Sequence, residues 1–142
     1  MITDSLAFYQ EKLLLATEVT EVIQQLIRTI QTIDTHFQPD IFFISDYLVG
    51  PEREWKHLFL FSKDKIWISY KFLTSNEFEL IPLSGQTSFR TQLSVKAFDF
   101  HSYNDKSRLS ATIQIDKFQL ELKATQANCV VLHDILTRWF IG

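Results

Sequence analysis

Three lysines and one tryptophan lie within a single stretch, HLFLFSKDKIWISYKF, which covers residues 57–72. Lys63 and Lys65 stand beside a predicted turn, and Lys71 shares a strand face with Trp67. Lysine ammonium groups bind phosphate as point charges, and an indole can pack beside such a group. These four residues are our candidate ligand-binding residues. The competing interpretation, which we favour, is that lysines stand at a turn because turns are solvated.

Cys129 and His133 lie four residues apart in a segment with helical spacing, so their side chains would be neighbours. A Cys-His pair could activate a thiolate or supply two ligands to a metal ion. The spacing of the other histidines brings none of them to this pair, and Cys129 belongs to an apolar seam. We therefore expect Cys129 to be buried as a small apolar residue.

The glycine content excludes two classes of nucleotide-binding site. The chain has three glycines, Gly50, Gly85 and Gly142, whereas a P-loop or a dinucleotide fingerprint needs closely spaced glycines. The sequence also lacks the G-x-S-x-G motif. Carboxylate pairs such as Glu77 and Glu79 have no adjacent histidine, so we interpret them as solvated surface charge. We predict a protein that is not an enzyme, with no catalytic residue, no cofactor and no metal site.

The composition is typical of one globular domain, residues 1–142. A chain of this length buries roughly two-thirds of its unfolded surface, which is enough for one core. The sequence has no apolar run of the roughly 20 residues that cross a bilayer, and its start has no basic segment followed by an apolar one. A single cysteine agrees with a reducing compartment. We expect a cytoplasmic protein.

The two parts of the chain differ in charge. Residues 1–54 hold nine acidic and three basic side chains, and residues 55–142 hold eight acidic and eleven basic ones. Nucleic-acid binding needs a concentrated basic face, so this division argues against it. It leaves room for a local basic patch on the second part.

Apolar residues recur at intervals of three and four through residues 1–38, and Pro39 ends the pattern. The spacing predicts helix over residues 5–36. Such a helix would extend about 48 Å, beyond a compact body with a radius of gyration of about 14 Å. It must either break near Ala16 and Thr17 or pack its excess length on another copy. We favour one long helix with a homodimer contact.

Beyond Pro39 the apolar period changes to two, and β-branched and aromatic residues dominate. A first strand is predicted over residues 41–48. A hairpin then turns at Lys63 and Asp64, with Phe59 opposite Ile68 on a core-facing side.

A second hairpin is predicted over residues 108–124, with Ile113 opposite Leu120 and a wholly polar opposite face. Further strands are predicted between the two hairpins, at residues 78–83, 94–103 and, more briefly, 88–92. From Thr125, a predicted cap, the helical period returns through Cys129 to Trp139, so the chain ends in an amphipathic helix.

Short antiparallel strands followed by one terminal helix resemble the pleckstrin-homology-like fold, including its GRAM-type and bacterial versions. The resemblance covers residues 41–141 and is carried by FLFSKDKIWISY, by IPL at 81–83 and by FQLELKATQANCVVLHDILTRWF. It implies a bent sheet or partial barrel capped by the terminal helix, and a domain that binds phosphoinositides, other lipids or protein segments. Lys63, Lys65 and, more distantly, Lys71 match the basic residues of its lipid-binding versions.

We predict an α+β protein with a long N-terminal helix, a mainly antiparallel sheet or partial barrel of about seven strands, and a capping C-terminal helix. The leading function is a non-enzymatic module that docks a protein partner, for example an immunity or inhibitor protein that occludes a toxin. The alternative is a binder of membrane lipid or phosphoinositide.

Overall fold

The structure is a computed structural model that describes residues 5–45, 57–75, 77–83, 91–98, 107–115 and 117–141. Two helices come first, then the strands, then a helix that continues into a π-helical segment. The elements are α1 (Ser5–Lys12), α2 (Thr17–Gln31), β1 (Ile41–Ser45), β2 (His57–Phe61), β3 (Lys65–Ser69), β4 (Glu79–Pro82), β5 (Thr91–Phe98), β6 (Arg108–Ile115), β7 (Phe118–Thr125), α3 (Asn128–Ile135) and the π-helical segment (Leu136–Ile141).

The prediction of one long N-terminal helix is wrong, because the chain breaks between α1 and α2. Leu14 adopts a left-handed backbone with φ of 53°. The N–H groups of Leu13 and Leu15 both donate to the carbonyl oxygen of Tyr9 and close the end of α1. This reversal buries Leu13 and Leu15 and leaves Leu14 70% exposed. The break occurs near Ala16, which occupies the N-cap of α2.

Helix α2 packs with a continuous apolar stripe facing the core. Val19, Ile23, Leu26 and Ile30 are all buried, as the three- and four-residue spacing predicts. Because the helix is broken, the overhang that favoured a homodimer contact is gone. The homodimer stays a prediction without that support.

The α+β class and the antiparallel pairing are confirmed, but one sheet or partial barrel of about seven strands is wrong. The described strands form two sheets, with orders β1-β2-β3-β4 and β5-β6-β7, and they do not close into a barrel. The sheets meet where β7 approaches β1. There the Lys123 N–H donates to the side-chain oxygen of Ser45 at 3.0 Å, so a side chain replaces a backbone ladder.

Both predicted hairpin registers are confirmed. Phe59 lies opposite Ile68 in the β2-β3 pair, and Ile113 lies opposite Leu120 in the β6-β7 pair. Strands β6 and β7 alternate buried and more exposed residues, as expected for a pair with one wet face. Strand β5 begins three residues before the predicted position 94, and residues 99–103 lie outside the described part of the chain.

The first sheet is buried on both faces. On one face, Tyr9 stacks on Phe42 with ring centroids 5.1 Å apart, and Phe37 meets Trp67 edge to face. On the other face, Phe61 contacts the ring of Trp139 at 5.4 Å. N-terminal and C-terminal segments therefore cover opposite faces of this sheet, which explains why all five residues of β1 are buried.

Helix α3 packs against β7, β6 and β1, in agreement with a C-terminal helix that covers a sheet. It follows a tight turn at Gln126, whose φ is 55° and whose N–H donates to the Ser107 carbonyl. Thr125 is the last residue of β7, so the prediction that it caps the helix is wrong. No helix in the described residues is both long and apolar enough to cross a membrane.

A buried polar network joins α1, α3 and β1. The Tyr9 hydroxyl donates to the Asn128 side-chain oxygen at 2.6 Å and accepts the N–H of Ile44 at 2.9 Å. The Asn128 amide nitrogen donates to the Ile44 carbonyl at 2.9 Å. The Phe42 N–H donates to the Ser5 hydroxyl at 3.1 Å. The outward-facing backbone groups of Phe42 and Ile44 are thus satisfied by side chains from both ends of the chain.

We expect Tyr9→Phe to destabilise the fold, because it leaves the Ile44 N–H and the Asn128 oxygen without their hydroxyl partner. The expected loss in free energy of unfolding is roughly 1–3 kcal/mol, the usual effect of an unpaired buried polar group. Chemical denaturation monitored by circular dichroism measures it. Tyr70→Phe is the matched control, because Tyr70 is 39% exposed. Equal losses in the two variants would contradict the importance of the network.

Candidate functional site

The predicted ligand-binding residues Lys65 and Trp67 are bound to a carboxylate within the chain. The Lys65 ammonium group lies 2.9 Å from an oxygen of Asp34, and the Trp67 indole N–H donates to the same oxygen at 3.1 Å. Both members of the ion pair are partly buried. This cluster holds the segment that follows α2 against the first sheet.

The cluster shifts the protonation equilibria of both charged groups. The hydrogen bonds that Asp34 accepts from Lys65 and Trp67 lower the pKa of its carboxyl group. The hydrogen bond to Asp34 raises the pKa of the Lys65 ammonium group. Each shift favours the charged form, so the ion pair persists across neutral pH.

The structure does not bring all three lysines together. Lys63 is exposed in the β2-β3 turn, whereas Lys71 begins a turn beyond the other end of β3. The five residues of β3 separate these turns by roughly 17 Å, at about 3.3 Å for each residue. Lys71 has a positive φ of 51°, and its N–H donates to a ring nitrogen of His57. Ligand binding by these lysines stays a prediction.

Cys129 is fully buried, as the apolar seam predicts, whereas His133 is exposed. Burial raises the pKa of the Cys129 thiol, which disfavours the thiolate that a nucleophile or metal ligand requires. Among the described residues, no group of three or more His, Cys, Asp or Glu side chains could hold a metal ion.

Asp34 was missed as a contact of Trp67, although the sequence carries a signal for it. In the apolar spacing of the N-terminal segment, Thr20 and Asp34 occupy apolar positions. Thr20 is buried, and its hydroxyl contacts the carbonyl oxygen of Ala16 at 3.4 Å. A polar residue on an apolar face needs a partner, so an unpartnered Asp34 on this face would be costly.

Strand β5 carries an outer edge with no hydrogen-bond partner among the described residues, and it pairs with β6 alone. The other sheet edges differ. Side chains of Ser5 and Tyr9 cap β1, and Ser45 contacts β7. Strand β4 is short and ends at Pro82, which has no N–H to donate.

The apolar side of β5 is partly open. Leu93, Val95 and Ala97 continue the rows of Ile113, Ala111 and Leu109 across the sheet. Ala111 and Leu109 are buried, yet Val95 is 44% exposed. A cavity of about 350 Å³ at this end of the sheet is lined mainly by residues of the opposite, polar side, among them Lys96, Arg108 and Lys123.

The opposite, polar side of the second sheet is basic next to β5. Lys96, Ser110 and Lys123 lie in one row across the three strands, and Ser94, Thr112 and Glu121 lie in the next. Lys96 and Lys123 form no ion pair with any described residue. Both lysines also line a cavity of about 210 Å³ on this face.

A larger groove of about 860 Å³ separates α2 from the turn at residues 72–75. Its lining mixes apolar side chains such as Val22 and Leu73 with the charges of Glu18, Glu21 and Arg28. It offers a concave surface but no free backbone edge. This α2 groove is therefore the natural comparison site in tests of β5.

The Asp34 cluster makes a pH-dependent prediction. Because the folded-state pKa of Asp34 lies below the ordinary value of 3.8, its stabilising effect is present above that pH and is lost as the pH falls. We expect Asp34→Asn to lower the free energy of unfolding by about 1 kcal/mol at neutral pH. The deficit relative to the unmodified protein should shrink below pH 3.8. Urea denaturation across this pH range tests it.

Asp40→Asn is the matched control for Asp34→Asn. Asp40 lines the same cavity as Asp34, but its side chain accepts no hydrogen bond from the described residues. A similar pH-dependent deficit in both variants would assign the effect to general surface charge instead of the cluster.

Comparison of the chain with protein-family models, with curated proteins and with solved structures finds no match. The resemblance to pleckstrin-homology-like domains therefore stays a prediction.

Proposed function

We propose that this protein is a non-enzymatic binding module that docks an extended segment of a protein partner along the outer edge of β5. The observation that carries the proposal is the outer edge of β5, with which no described residue pairs, together with the exposed Val95. Exposed sheet edges bind peptides by β-strand addition, in which backbone hydrogen bonds supply affinity and alternate side chains supply specificity.

The contrast between sheet edges supports this site. An unpaired edge invites aggregation, and proteins protect such edges with prolines, charges or covering elements. Here β1 is capped by hydroxyl groups and β4 is short and ends at Pro82. Strand β5 has eight residues and one charged side chain, Lys96. Strand β7 is equally long, but its outer edge contacts β1 through Ser45.

The second candidate, binding of phosphoinositide or other membrane lipid, has weaker support. Lys65 already forms an ion pair with Asp34, and Lys71 lies at the opposite end of β3 from Lys63. A phosphate group at the β2-β3 turn would meet Lys63 and the neighbouring carboxylates of Asp40 and Asp64. That balance favours protein docking over an anionic membrane.

Two finer predictions belong to this proposal. Two antiparallel sheets followed by a C-terminal helix support a pleckstrin-homology-like fold that binds protein segments. An immunity or inhibitor protein in the cytoplasm is one concrete form of such a module, since steric occlusion needs a docking surface and no catalytic group.

The docking site is tested by selecting extended peptides from a random library on the unmodified protein. We expect Val95→Lys to weaken binding of the selected peptides about tenfold, because it places a second lysine and removes apolar contact area at the edge. Ile33→Lys is the matched control, because Ile33 is 76% exposed and lies far along the chain from β5. Fluorescence anisotropy measures each affinity.

Binding of the selected peptides in the α2 groove would contradict the proposed site. If Leu73→Lys abolished peptide binding while Val95→Lys left it unchanged, the groove would be the docking site and the β5 proposal would be wrong. Circular dichroism of each variant ensures that a loss of binding does not reflect unfolding.

Vesicle sedimentation tests the lipid candidate. We expect Lys63→Glu to leave any retention on phosphoinositide vesicles unchanged, because Asp34 already neutralises the neighbouring Lys65. Lys117→Glu provides the control, since Lys117 is an exposed turn lysine elsewhere. Salt-sensitive retention that Lys63→Glu abolishes and Lys117→Glu preserves would establish lipid binding instead.

A further inference from the structure

We infer that the segment that docks on β5 alternates apolar and acidic residues and places a carboxylate opposite Lys96. This inference rests on the proposed function and specifies the chemistry of the partner. It follows from the different characters of the two sheet faces that meet at β5.

The pleat of a sheet determines which face each partner residue joins. Successive side chains of a strand point to opposite faces, so an added strand extends both faces at once. Residues opposite Leu93, Val95 and Ala97 would join the apolar face, and residues opposite Ser94 and Lys96 would join the polar face. The partner must therefore alternate in character.

The apolar face requires partner side chains that cover Val95. Val95 lies beside Ala111 and, one strand further, Leu122, and both of those residues are buried. At the next apolar row, Ala97, Leu109 and Ala124 follow one another across the sheet, and the side chains of Ala97 and Ala124 are small. A large apolar residue opposite Ala97 would cover these small side chains.

The polar face selects for negative charge. Lys96 and Lys123 flank Ser110 in one row, and Arg108 occupies the adjacent row. Glu121 is the single acidic residue on this face of the described strands. A carboxylate on the added strand would lie directly opposite Lys96, where cross-strand pairs of opposite charge are favourable and like charges are not.

A second copy of this chain does not supply the same chemistry through its own β5. The sequence of β5, TQLSVKAF, contains no aspartate or glutamate. Pairing two β5 strands would add a second lysine to a face that is already basic. The charges therefore favour a different acidic segment over self-association through β5.

Three synthetic peptides of the same length as β5 test this inference. All three carry valine at alternate positions with one phenylalanine, and the intervening residues are glutamate, serine or lysine. We expect the glutamate peptide to bind the unmodified protein most tightly, with affinity that falls as salt rises. Lys96→Glu should weaken it roughly tenfold and should improve binding of the lysine peptide.

Lys12→Glu is the matched control, because it makes the same charge change at the exposed last residue of α1, a helix that packs against β1. Methylation of the glutamate peptide's backbone nitrogens provides a second readout. A strand pairs through one edge, so methylating one alternate set of nitrogens should abolish binding and methylating the other set should preserve it.

The outcomes separate this inference from the proposed function. Suppose that the serine or lysine peptide bound as tightly as the glutamate peptide, and that Val95→Lys weakened the binding of these peptides. Docking on β5 would then stand, and the acidic partner would be wrong. If the glutamate peptide bound equally well to Val95→Lys, or resisted both methylation patterns, the β5 site itself would be wrong.

Two further outcomes would overturn the acidic partner. One is that none of the three peptides binds, in which case the library selection decides the docking site. The other is a concentration-dependent dimer, seen by sedimentation, that Val95→Lys dissociates, because a second copy would then occupy the edge.

Discussion

The architecture depends on how the outer edge of β1 is satisfied. The N–H groups of Phe42 and Ile44 point away from β2 and would be unpaired inside the protein without Ser5, Tyr9 and Asn128. An unpaired buried backbone group costs as much as a lost hydrogen bond, so the edge demands either another strand or side-chain partners. Here side chains do this, and they come from opposite ends of the chain, since Tyr9 and Asn128 are 119 residues apart. Burying this network therefore couples the N-terminal helix, the first sheet and the C-terminal helix into one core.

The same constraint separates the two sheets. Because α1 and α3 occupy the space beside β1, β7 cannot add a backbone ladder there, and contact is made through Ser45 and Lys123 instead. The three-stranded sheet consequently has its own far edge at β5. No strand among the described residues pairs with that edge, so it remains available for pairing.

Local periodicity was enough to predict both hairpin registers, because alternation at Phe59, Ile68, Ile113 and Leu120 ties each side chain to one face. It was not enough to locate the break in the N-terminal segment. The apolar stripe continues through Ala16, so the pattern of a single helix and that of two helices packed on one core are the same. What separates them is tertiary burial of both Leu13 and Leu15. The number of sheets and the exposure of β5 likewise depend on contacts between distant segments, which no spacing within a strand encodes.

The candidate site changed for a related reason. Lys65 and Trp67 have the side chains of an anion-binding site. Their donor groups, however, already bind Asp34, the polar residue on the apolar stripe. A sequence displays the charges of a turn without displaying which of them are already paired. The sequence did not indicate Lys96 and Lys123 as a site, because each is a single lysine among the polar residues of its own strand. Only pairing through Ser110 puts them on one face, so the patch arises from the sheet and not from either strand. A protein with a net charge of -3 can therefore present a basic face to an acidic partner, since the local arrangement of charge governs docking more than the total.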